Sequence, residues 1–168
     1  MRLRAKRAGR EPLDPQAAAD PRSIRKTALE FLARRDFAAG ELARRLEARG
    51  YDAACIAPVL EELAGKRFLD EERFIENFIS YHAGRGQGPI RISAELRQRS
   101  IAAEAIERHL EAVTDWRERA RVARRKKFGA TIPKDFKTRA KQARFLEYRG
   151  FSAEHIRAAL EGDAAAED

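Results

Sequence analysis

One cysteine, three histidines and one tryptophan occur in 168 residues, and this scarcity sets the first limits. Cys55 has no second thiol with which to form an intramolecular disulfide or a cysteine-based metal cluster. Its neighbours Ile56, Val59 and Leu60 mark it as a small residue of an apolar face. His82, His109 and His155 lie in separate segments without a His-x-x-x-His pair, so no metal site is expected. No apolar run approaches the roughly 18 residues of a membrane span, and the basic opening MRLRAKRAGREP lacks the apolar core of a secretory signal. The default expectation is a reducing cytoplasm.

Catalytic patterns are missing as well. The turn GRGQGP has no Gly-Lys-Ser/Thr ending and is not a phosphate loop. Ser80, Ser93 and Ser100 have no nucleophile-elbow context, and acidic pairs such as Glu61-Glu62 recur on ordinary solvated helix faces. Neither an enzyme nor a cofactor is expected.

What the chain does have is charge, unevenly spread. It carries 37% charged residues and a net charge of +8. Residues 1–27 hold eight Lys and Arg against three acids, and residues 114–150 hold thirteen against four. Those two stretches carry +5 and +9, leaving −6 for the remainder. Such asymmetry points to a polyanion-facing surface, nucleic acid being the commonest cytoplasmic polyanion; a solvated basic face without a partner is the duller alternative.

Apolar spacing predicts helices throughout. Residues 1–19 show no sustained periodicity and are read as a flexible basic arm. Asp20-Pro21 opens a helix as cap and first residue, with Ile24, Ala28, Leu29, Phe31 and Leu32 facing inward. A second helix carries Leu42 and Leu46 and stops at Gly50; a third, capped by Asp52, carries Ile56, Val59, Leu60 and Leu63. Shifting the chain by about 50 residues returns this design twice more. Leu46, Leu96 and Leu146 coincide, as do Tyr51, Ile101 and Phe151, then Ile56, Ile106 and Ile156, then Arg49, Arg99 and Arg149. Ala28, Phe78 and Phe128 correspond, whereas Arg124 breaks the match to Ile24 and Phe74.

The expectation is therefore an all-α, elongated, curved array of three tandem three-helix repeats, at 20–65, 66–113 and 114–161, with a disordered acidic tail at 162–168. Ala38, Gly88 and Thr138 are placed before the second helices, and Asp52, Ala102 and Ser152 before the third. In the central repeat the inward face of the first helix is read as Phe74, Ile75, Phe78, Ile79 and Tyr81, followed by a turn at Gly84, Gly86 and Gly88. Asp70 is read as that helix's cap, and Trp116 as a core anchor.

Phe68-Leu69-Asp70 leading into Arg73-Phe74, the turn GRGQGP, then Ile92, Leu96 and Arg99-Ser100-Ile101 resemble the RecX family. Arg35-Asp36-Phe37, Glu41-Leu42, Leu46 and Arg49-Gly50-Tyr51 are similar to that family's first repeat, and the likeness covers about Ile24 to Leu160. The chain departs from it at Ala38, where a small hydroxyl residue is usual, and at Ser100, where glycine often stands. The resemblance implies a monomeric, non-enzymatic regulator of the bacterial recombinase RecA, acting in DNA repair and the SOS response. It would bind the RecA filament on single-stranded DNA, lower ATP hydrolysis and strand exchange, and limit filament extension.

For DNA phosphates the candidates are Arg124, Arg125, Lys126, Lys127, Lys134, Lys137, Arg139, Lys141 and Arg144, giving weak, salt-sensitive binding to single-stranded DNA. Phe128 and Phe136 interleave with them, and at that spacing aromatics are more often core than stacking platforms. For the protein partner the candidates are Lys66, Arg67, Arg73, Arg85, Arg91, Arg97 and Arg99. This central repeat is expected at the middle of the contact surface, where loss of Arg85 or Arg91 impairs partner binding more than folding. Two other readings stay open: a helical repeat protein that binds nucleic acid directly, independently of RecA, and a scaffold with no nucleic-acid role.

Overall fold

The computed structural model describes residues 13–161. The expected basic arm from Arg2 to Arg10 and the acidic tail at 162–168 lie outside the described residues. Within them the chain is all-α, with ten helices and no strand, divided into two compact units, Met1–Asp70 and Glu71–Asp168.

The first unit holds α1 (Pro15–Ala19), α2 (Pro21–Leu32), α3 (Ala39–Glu47) and α4 (Ala53–Gly65). Helix α1 corrects the sequence reading, which assigned residues 13–19 to a flexible arm. Leu13 packs on the core of this unit, and the Asp52 N–H donates to the Ala18 carbonyl at 3.0 Å. A stretch of Pro, Gln and Ala has no apolar stripe to announce it; one leucine and a borrowed backbone bond hold it. Asp20 caps α2 by accepting from the Arg22 and Ser23 N–H groups, and Asp52 caps α4 by accepting from Ala54. Ile24, Ala28, Leu42, Leu46, Ile56 and Leu63 form a buried centre. Tyr51 enters it with its hydroxyl satisfied, 2.7 Å from Thr27 Oγ1.

The second unit contains α5 (Glu71–Gly84), α6 (Pro89–Arg97), α7 (Ala103–Glu111), α8 (Trp116–Phe128), α9 (Phe136–Tyr148) and α10 (Ala153–Glu161). In α5, Phe74, Ile75, Ile79 and Ala83 are buried. Tyr81, read as inward, is 59% exposed. It lies two residues from both Ile79 and Ala83, and on a 100° wheel that puts it across the helix from them. Trp116 is buried, its indole N–H donating to the Leu110 carbonyl at 3.2 Å. Helix α9 starts earlier than expected: Asp135, not Thr138, is its cap, accepting from the Thr138 N–H at 2.8 Å.

The two helix triplets of this unit are joined at a glycine contact. The Gly88 N–H donates to the Arg149 carbonyl at 2.8 Å, and the Ile90 N–H to the Gly150 carbonyl at 3.0 Å. A Cβ at Gly88 would stand 2.3 Å from the Gly150 carbonyl oxygen, and one at Gly150, where φ is +87°, would stand 2.4 Å from Arg91 Cβ. Both glycines are required by backbone approaching backbone.

Candidate nucleic-acid and partner interface

The basic stretch of the second unit begins on α8. Arg124 occupies the position that holds Ile24 in the first repeat and Phe74 in the second, and like them it is buried, at 4% exposure. Its guanidinium donates to the carbonyls of Ala130 (3.0 Å) and Thr131 (3.2 Å) and to Gln142 Oε1 (3.3 Å). Burial, and next the charge of Arg125, push its pKa down. Gln142, also buried, stands where the other repeats have Leu42 and Ile92. A polar pair thus replaces an apolar pair at equivalent core positions. The assignment of Arg124 to DNA phosphates is corrected: its donors are turned inward to hold the chain after α8.

The other candidates of this set sit outside. Arg125, Lys126, Lys127, Lys134, Lys137, Lys141 and Arg144 are exposed, while Arg139 is half-buried beside the Pro133 carbonyl. Arg125 reaches Glu118 at 3.9 Å, but Lys126, Lys127, Lys134, Lys137 and Lys141 have no carboxylate partner among the described residues. Phe128 is half-buried with its ring edge-on to Phe145, 5.2 Å between centroids. Phe136 is 87% exposed between Lys134 and Lys137, so the core reading fails there. The earlier start of α9 explains it, since Phe136 becomes the first helical residue, before the apolar stripe begins.

The partner candidates divide between the units. Lys66 and Arg67 belong to the first, paired with Glu62 at 2.6 Å and Asp70 at 3.1 Å. In the second unit Arg73 and Arg97 are exposed, Arg97 lying 3.8 Å from Glu107. Arg85 donates to the Tyr81 hydroxyl at 3.0 Å. Arg91 donates to Glu95 at 3.1 Å and lies over the ring of Tyr148, and these contacts, Glu95 foremost, raise its pKa. Arg99 is half-buried, donating to the Glu95 carbonyl at 2.7 Å with its guanidinium 4.7 Å from the centre of the Phe78 ring. The matching arginines do likewise: Arg49 lies over Phe31 and Arg149 over Phe145.

Two sets kept apart in the sequence meet in a cleft of about 540 Å³ between the end of α5 and the outer face of α8. Arg85, from the partner set, and Lys126 and Lys127, from the DNA set, share its rim with Arg149. Val122, Ala123 and Phe145 contribute apolar surface. Of the acids at the edge, Asp115 is held by Arg119 at 2.7 Å and Glu118 by Arg121 at 3.5 Å. Arg149 was not among the candidates, although its place in the 50-residue series was visible; its side chain donates to the Arg85 carbonyl at 3.3 Å.

Models of the three successive three-helix domains of RecX match residues 25–63, 70–110 and 114–160. The chain belongs to the RecX family. Regulatory protein RecX from Halorhodospira halophila (strain DSM 244 / SL1) is 46% identical over 145 residues, covering 86% of this chain and 90% of that relative. Regulatory protein RecX from Pseudomonas putida (strain GB-1) is 45% identical over 143 residues, covering 84% and 92%. The crystal structure of RecX from Lactobacillus salivarius superposes with a TM-score of 0.74 at 17% identity, over 86% of this chain and 96% of that one, which shows the RecX fold. These relatives carry the name of regulatory proteins.

Proposed function

We propose that this RecX family member restrains the RecA recombinase: it binds the RecA filament on single-stranded DNA, lowers its ATP hydrolysis and strand exchange, and limits filament extension. The observation that carries the reading is the match to all three RecX domains across 25–160, together with close to half identity to proteins named as RecX regulators. Exposed lysines of α8 and α9 without carboxylate partners among the described residues support a polyanion as part of the target. Arg85 and Arg91 of the central domain, held over the rings of Tyr81 and of Tyr148 in the third, suit contact with a protein or a phosphate.

The test is RecA-driven ATP hydrolysis on single-stranded DNA with substoichiometric amounts of the chain. Inhibition is expected, and its absence at every ratio overturns the reading. The same lysines favour one alternative, a protein that binds nucleic acid directly and without RecA. That alternative requires tight binding to duplex DNA by the chain alone, with base preference persisting after the lysines are neutralised.

A further inference from the structure

The geometry points to the cleft between α5 and α8 as a nucleotide-binding site for single-stranded nucleic acid, in which one unstacked base enters the apolar interior and the flanking phosphates lie on Arg85, Lys126, Lys127 and Arg149. The inference rests on the proposed contact with single-stranded DNA and assigns it a place. Three features lead to it. About 540 Å³ is within the roughly 300–1,000 Å³ range of sites that enclose small ligands, which suits a single base with its sugar. Its lining divides by chemistry, with Val122, Ala123 and Phe145 offering apolar and aromatic contact below a basic rim. And the charge is unbalanced: Asp115 and Glu118 are engaged by arginines of α8, whereas Lys126 and Lys127 have no described acidic partner.

An aromatic side chain stands next to the rim: Tyr81, 59% exposed, bonds to Arg85. Interleaved aromatic rings and cations are how sequence-tolerant single-strand sites are built: every base has a face to stack, and the backbone supplies charge at each step. An acidic peptide would answer the cations but leave the apolar interior without a complement.

The site is tested with the full chain by fluorescence anisotropy, using a short labelled oligothymidylate and an abasic oligonucleotide of the same length. The oligothymidylate should bind about tenfold more tightly than the abasic strand. Val122→Met, at a position 43% exposed and therefore tolerant of size, narrows the cleft without adding a charge or a ring. It should reduce the preference for bases while leaving the salt slope unchanged, and a thermal melt checks that the variant folds. Lys126→Gln with Lys127→Gln should lower the slope of log affinity against log salt by about 1.4, roughly 0.7 for each single-strand phosphate contact.

If Val122→Met binds both strands as the parent does while Lys134→Gln with Lys137→Gln abolishes binding, the cleft is wrong and single-strand contact belongs to the start of α9. If the parent shows no salt-sensitive binding, both the cleft and the contact beneath it fall. If a polyglutamate peptide binds in a way that Val122→Met weakens while the oligonucleotide does not compete, the site is for acidic protein and the inference is overturned.

Discussion

At the scale of single residues, the repeat is most informative where it keeps a position and changes the chemistry. Arg124 and Gln142 occupy core positions, and the price is a buried guanidinium that is only partly satisfied. Both terminal nitrogens donate, while its Nε has no partner among the described residues. Arg124→Leu should destabilise the second unit by about 2–3 kcal/mol, because the carbonyls of Ala130 and Thr131 and the Gln142 amide lose their donor. Adding Gln142→Leu restores the apolar pairing of the other domains and should recover part of that loss. A double-mutant cycle by denaturant titration reads the coupling, expected at about 1 kcal/mol; strict additivity would mean that the two side chains do not depend on each other. Gly50 and Gly150 make a second comparison at equivalent positions. Both have positive φ, but a Cβ at Gly50 meets only Leu13 at 3.8 Å, whereas at Gly150 it collides with Arg91. Gly50→Ala should cost about 1 kcal/mol from backbone strain alone, and Gly150→Ala about 3 kcal/mol, since the clash adds to the strain. Equal melting shifts would contradict the close approach.

Single elements add a dependence on pH. Helix α10 is opened by a reciprocal cap in which the His155 N–H donates to Ser152 Oγ and the Ser152 N–H donates to His155 Nδ1, each at 3.3 Å. The second bond needs a neutral imidazole. Burial lowers the pKa of His155 below the usual 6.5, Glu154 pulling the other way and Arg117 adding to the depression. The unfolded chain therefore takes up its proton first as pH falls, so the contribution to stability is intact above about 6.5 and is lost below it. Melting followed from pH 7.5 to 5.5 should show a decline that His155→Gln flattens, since glutamine keeps the cap without titrating; an equal decline in the variant would remove the histidine from the explanation. Glu62 acts in a separate, more acid window. Bonds from Arg25, then Lys66, hold it at about 2, so its share is complete above 4.5 and disappears as pH falls toward 2. Elements are also where reading the sequence succeeded and failed. Leu46, Leu96 and Leu146 are all fully buried, as the 50-residue shift implied. Asp20 and Asp52 cap as read, because a carboxylate at a helix start answers a local need. Two misses came where contacts outside the element decide: α1 is held by the Asp52 N–H, and Arg124 by carbonyls beyond its own helix. The start of α9 is a local cap, the Asp135 carboxylate three residues before Thr138, which the 50-residue alignment passed over. The cleft belongs with these misses, since Arg85 and Lys126 are 41 residues apart and only the folded second unit brings them to one rim.

On the scale of the whole molecule, three family domains are distributed over two compact units, with the second and third domains sharing one. The glycine contact gives the physical reason. Two backbone hydrogen bonds cross from the α6 start to the α9 end, where neither Gly88 nor Gly150 leaves room for a side chain. Domains tied in this way should unfold together, because losing one strands the bonded backbone of the other. Leu96→Ala and Leu146→Ala, each removing a fully buried side chain, should each cost about 2–5 kcal/mol. Native-state hydrogen exchange then separates the possibilities. If the second unit is one cooperative body, Leu96→Ala lowers protection in α8, α9 and α10 as much as in its own α5, α6 and α7, and Leu146→Ala does the reverse. Loss confined to the three helices around each substitution would make the second and third domains independent and the glycine contact incidental. Joint unfolding would in turn give the cleft a fixed shape, because its α5 and α8 walls come from the two domains that the contact ties.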